Sequence, residues 1–174
     1  KRYLPHEIPH LLIYQRTTAE GYEHVPRWLD EGLATANEQL PTPERALVLE
    51  ASYEANQLLP LADLCAPFSP DSHTAALSYA ESASVVTFIR ERYGADGIRK
   101  LLSAYADGAS CTSGVEEALG ISFNKLESAW RASLRPEARW RAWVDEVDVW
   151  IGLWLLSLLV AVPMIGGIRR RRAE

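Results

Sequence analysis

From residue 42 to residue 134, small and apolar residues recur at intervals of three and four, the period of a helix with one face in a core. The longest such run is Ala75 to Tyr93, and Gly94 stands where a C-terminal stop belongs. Ile98, Leu101, Leu102 and Tyr105 mark a shorter amphipathic helix ending near Gly108. Val115 to Leu119 reads as another, stopped by Gly120. Ser122 is placed to cap a helix through Phe123, Leu126, Trp130 and Leu134. Thr42-Pro43-Glu44 supplies a cap, a first-turn proline and an acidic N-terminus for a helix through the Leu47 region. Proline-rich breaks at Leu59-Pro60 and Ala66-Pro67-Phe68-Ser69-Pro70 separate these pieces. No strand-like alternation is long enough to defend, and there is no internal repeat. The pattern predicts a mainly α domain over residues 1–135.

A different pattern closes the chain. Val149 to Ile168 is twenty residues without a charge, enough for a helix of roughly 30 Å, the thickness of a bilayer's hydrocarbon core. Arg169 to Arg172 follow it, Asp145, Glu146 and Asp148 precede it, and Trp140, Trp143, Trp150 and Trp154 gather near its start. Read by the positive-inside rule, this predicts one transmembrane helix over 149–168 in contact with the lipid bilayer. Residues 136–148 would then be a juxtamembrane linker and 169–174 a basic cytoplasmic tail. Such a chain is a single-pass protein of the cell membrane with its folded domain outside the cytoplasm.

Charge narrows the partners. The whole chain has 18 basic and 23 acidic residues; without Arg169 to Arg172 and Glu174, 14 face 22, a net of −8. So acidic a body is a poor nucleic-acid binder, since phosphate contact needs clustered Lys and Arg. Cys65 and Cys111 are too few and too far apart for a zinc knuckle; an oxidising compartment would favour a disulfide between them. Lys1 to Pro5 shows no signal peptide, and a motif suited to a buried helix begins at residue 6 with no strand before it. The chain therefore reads as the C-terminal part of a longer protein.

That motif is His6-Glu7-Ile8-Pro9-His10, an HExxH. On a helix, residues i and i+4 share a face, so both imidazoles can reach one ion. Glu7, offset by one residue, can take a proton from a water at that ion. Three protein ligands would leave a fourth zinc position open, as catalysis requires, so a third ligand must come from elsewhere. Glu31, separated from His10 by twenty residues, stands in Pro26-Arg27-Trp28-Leu29-Asp30-Glu31-Gly32-Leu33-Ala34. HExxH followed by such a Trp-Leu…Glu-Gly-Leu-Ala segment resembles the gluzincin zinc peptidases and, over roughly residues 4–134, the peptidase MA-like domains. Leu59-Pro60-Leu61, Tyr79-Ala80-Glu81-Ser82, Tyr93-Gly94 and Leu126-Glu127-Ser128-Ala129-Trp130 extend the resemblance. It implies a zincin-like helical fold, a peptide or protein substrate, Zn2+ held by His6, His10 and Glu31, and Glu7 as the catalytic base. It also offers Tyr79 as a group for the oxyanion, the alternative being an ordinary helix-face tyrosine.

Pro9 departs from the pattern, because proline inside a helix removes a backbone hydrogen bond and can cost ~3 kcal/mol. A helix starting near Pro5 confines the damage to its first turns; otherwise a kink would misplace His10. The upstream edge strand of such peptidases is also missing from the chain. His24 and His73 lack partners at ligand spacing, and Trp28 and Trp130 read as core. Glu31 as a plain surface acid at a helix start is the bland alternative. Two rivals to a membrane-anchored peptidase follow: a non-catalytic interaction domain retaining a structural or vestigial zinc site, and a membrane assembly subunit with a spacer ectodomain.

Overall fold

A computed structural model of the chain describes residues 4–38, 43–135 and Trp154. In order these form α1 (Leu4–Tyr22), α2 (Arg27–Ala36), α3 (Pro43–Glu54), a 3-10 turn (Leu61–Cys65), α4 (Ser72–Ala106), α5 (Ser113–Leu119) and α6 (Phe123–Ser133). Strands are absent among the described residues. Residues 1–131 cluster as one unit, which carries the whole described core, and residues 132–174 cluster separately.

The punctuation residues act much as their chemistry dictates. Gly120 caps α5 in the left-handed region, and the Ser122 hydroxyl faces the Lys125 amide at 3.4 Å at the start of α6. Pro43 opens α3. Asp71, rather than a residue nearer Ala75, caps α4: its carboxylate accepts from the Thr74 amide at 2.9 Å. Gly94 ends the first helical segment of α4, as its place in the sequence predicts. It adopts φ 69° and ψ −173°, and the chain turns there and continues helically to Ala106. Cys65 and Cys111, which flank α4, are joined by a disulfide with Cα atoms 6.1 Å apart.

α4 is the spine, with α1, α2, α3 and α5 packed on it and α1 also lying against α2. Trp28, Leu29, Val85, Val86, Ile89, Leu101, Leu126 and Trp130 are fully buried. The Trp130 ring nitrogen donates to the Ser84 hydroxyl at 3.0 Å, so the indole buries its polar end with a partner. The seam of α2 and α4 is tightest at Gly32, where a Cβ would stand 2.5 Å from the Ser82 carbonyl oxygen and 2.7 Å from a Val86 methyl. The glycine of the Glu-Gly-Leu-Ala segment is thus a packing requirement. It lets α2 sit close enough to α4 to bury Asp30 and Glu31 beside it.

One expectation is overturned. The longest helix, α4, carries Glu81, Arg90, Glu91, Arg92, Asp96, Arg99 and Lys100, charges that hydrocarbon does not accept. Among the described residues no helix is long and apolar enough to cross a membrane. The fold is mainly helical, as expected, but the transmembrane helix, the single-pass placement and the bilayer contact drawn from it are corrected. The segment 149–168 lies outside the described residues except for Trp154, as do the expected linker and tail beyond it.

Glu81 is the oddity of the core. It is wholly buried, its Oε1 accepting from the Leu59 amide at 2.9 Å, while Arg131 donates to the Leu59 carbonyl at 2.8 Å. Burial pushes its carboxyl from 4.5 up to about 7, against the opposing pull of the Leu59 N–H and Arg131. A carboxyl whose folded value is raised favours the fold while protonated. That contribution is full below the unfolded value and is lost as pH rises through about 7. Two outcomes follow. Thermal melts between pH 4.5 and 8 will lose on the order of 3 kcal/mol through this group, a loss that Glu81→Gln removes. Gly32→Ala, forced against backbone, will lower the urea midpoint by the equivalent of about 1–3 kcal/mol.

Candidate metal site

α1 runs unbroken through Pro9, its sixth residue, so the proline forfeits one hydrogen bond near the helix start without taking the backbone out of helical geometry. The backbone leaves helical geometry only at Thr18, well past the motif. The kink that would have displaced His10 does not occur, and the ring nitrogens His6 Nε2 and His10 Nε2 stand 3.5 Å apart.

Glu31 arrives from α2, 4 % exposed. Its Oε2 lies 3.4 Å from His6 Nε2 and 3.7 Å from His10 Nε2, so the three side chains meet at one point. The other ring nitrogens fix what these atoms are. His6 Nδ1 faces Glu38 Oε1 at 3.0 Å, and His10 Nδ1 faces Asp30 Oδ1 at 2.7 Å. A carboxylate only accepts, so each Nδ1 carries a proton, and the tautomer this selects for metal binding turns a lone pair at Nε2 toward the other ring and toward Glu31. In that tautomer three electron-rich atoms face one another, an arrangement that a cation among them stabilises. Glu31 Oε2 is moreover buried and without a hydrogen-bond partner. Ligands 2.0–2.1 Å from a tetrahedral ion are separated by about 3.4 Å. The observed separations match, and the donor set of two imidazoles and a carboxylate suits zinc.

Each carboxylate behind the rings is held in turn. Tyr22 donates its hydroxyl to Asp30 Oδ2 at 2.9 Å, and Arg45 Nη1 meets Glu38 Oε2 at 2.8 Å. Burial, with the Asp30 bond adding to it, pushes the Tyr22 hydroxyl up to about 12. Arg27 pairs with Glu31 Oε1 at 2.7 Å and lies 3.6 Å from Asp30 Oδ2. Sequence reading missed this whole supporting set. The Arg27–Glu31 spacing of i, i+4 was a usable sign, whereas Tyr22, Glu38 and Arg45 meet their partners through the tertiary fold.

Glu7 is exposed on α1, one residue past His6. Tyr79, on α4, is half-buried with its ring edge-on to Phe68, and burial followed by the Glu31 charge raises its hydroxyl. It therefore lies within electrostatic reach of the histidine–carboxylate cluster and stays neutral. His24 and His73 are exposed and take no part.

Comparison with curated proteins and with solved structures returns no match. The family model of the Peptidase MA superfamily, however, matches residues 1–136, which spans both helices that build the cluster and the α4 spine behind them. Two histidines from one helix and a buried glutamate from the next, gathered inside that matched region, belong to a chain that is a member of the Peptidase MA superfamily.

Proposed function

We propose that the domain is a zinc-dependent peptidase in which His6, His10 and Glu31 hold the ion and Glu7 serves as the general base. The observation that carries this reading is the meeting of His6 Nε2, His10 Nε2 and Glu31 Oε2 within 3.4 to 3.7 Å, with both Nδ1 atoms anchored to carboxylates. Zinc bound there supplies Lewis-acid polarisation of the scissile carbonyl and a lowered pKa for water.

The protein's own residues do the rest. Glu7 sits one position from His6, off the face shared by the two rings, and its exposed carboxylate is free to take a proton from the attacking water. It then returns that proton to the leaving amine. Tyr79, kept neutral by burial and by the Glu31 charge, is a hydrogen-bond donor for the developing oxyanion. Asp30 and Glu38 hold the imidazoles in one tautomer, so neither ring must reorganise when peptide arrives.

Glu7→Gln separates the proton-transfer role from the metal site. Zinc content by elemental analysis and the thermal midpoint should match the parent, while hydrolysis of a peptide library falls by about 100-fold or more. His10→Ala and Glu31→Ala should lose zinc and activity together. A Glu7→Gln protein that cleaves as fast as the parent would leave a metal-binding domain without this chemistry. Tyr79→Phe should lower kcat by about 10- to 1000-fold with KM little changed.

A further inference from the structure

Arg27 occupies an unusual place for a residue at the start of a helix. Its guanidinium is 2.7 Å from Glu31 Oε1 and 3.6 Å from Asp30 Oδ2, touching both carboxylates of the adjacent acidic pair. With its contacts, every oxygen of that pair has an assignment but one. Asp30 Oδ1 takes His10 Nδ1, and Asp30 Oδ2 takes the Tyr22 hydroxyl and Arg27. Glu31 Oε1 takes Arg27. Glu31 Oε2 alone is buried without a hydrogen-bond partner, facing the two imidazoles.

We propose that Arg27 is a positioning residue that restricts Glu31 to one metal-facing oxygen. A carboxylate with both oxygens free can chelate an ion through the pair, filling a position that catalysis needs open for water or substrate. A planar guanidinium held on Oε1 prevents this, and its charge offsets that of two carboxylates buried side by side. Its side chain is 44 % exposed, so truncation leaves no buried cavity. Lysine offers a compact point charge without the fork that reaches both acids.

The inference rests on the metal site proposed above, and cobalt substitution tests the two separately. The full chain is stripped with chelator and titrated with Co2+ and, in competition, with Zn2+. The parent should show the intense visible bands of four-coordinate cobalt. Arg27→Ala should show weaker bands, as coordination number rises, and zinc affinity lower by about 10- to 100-fold. Arg27→Lys, which keeps the charge, should fall between them; if the alanine variant fails to fold, the lysine variant is read against the parent in the same way. Variants with the parent's cobalt spectrum and zinc affinity overturn the role of Arg27 and leave the metal site standing. A parent chain that takes up no cobalt overturns the metal site itself. A merely structural Arg27 would shift the denaturant midpoint of the metal-free protein without changing the cobalt bands.

Discussion

Asp30 and Glu31 are adjacent carboxylates, each under 5 % exposed, and a pair of neighbouring charges so far from water must find compensation on every side. The packing of α2 on α4 at Gly32 leaves little room for anything else to move. Compensation therefore comes from α1, as far as its last residue, and from the first residue of α2: His10, Tyr22 and Arg27 for Asp30, and Arg27 for one oxygen of Glu31. The remaining oxygen has no protein partner, and the two imidazoles converge on it. Folding and site construction are the same event here, because α1 reaches its seat on α2 by satisfying the acids that α2 buries.

How much of this the sequence disclosed depends on the range of each interaction. His6 and His10 announce themselves because i, i+4 spacing makes two side chains neighbours whatever the tertiary fold. Glu31 was readable from its apolar frame, which is also what buries it. Asp30 offered no sign of its own in the sequence, since its value lies in a contact with His10 across twenty residues of sequence. Glu81 left a trace that went unread: it occupies a core position in the run Leu77, Glu81, Val85, Ile89, where a charge interrupts the apolar stripe. The uncharged run at 149–168 carried the strongest compositional pattern in the chain, yet composition alone did not amount to a described membrane-crossing helix.

The interruption at Gly94 was legible as a glycine at the end of a periodic run, and the backbone does leave helical geometry there; what a local rule for stopping helices could not give is where the chain goes next. The next helix had to return to the same spine, and the positive φ turns the backbone without breaking its continuity.

That bend has a covalent counterpart. The disulfide joins residues on either side of α4, so the entire helix lies inside one closed ring of the chain. Held straight, Ser72 and Ala106 would be about 51 Å apart at the rise of an α-helix. The seven Cα-to-Cα steps from Cys65 to Ser72 and the five from Ala106 to Cys111, pulled taut at ~3.5 Å each with the 6.1 Å of the crosslink added, span about 48 Å even if perfectly aligned. A straight α4 cannot be threaded into that ring. Open space surrounds the Cα of Gly94, so a larger residue there would meet no neighbour. What it would meet is its own backbone, whose φ of 69° only glycine adopts readily, so the turn that the ring needs is tied to this one residue.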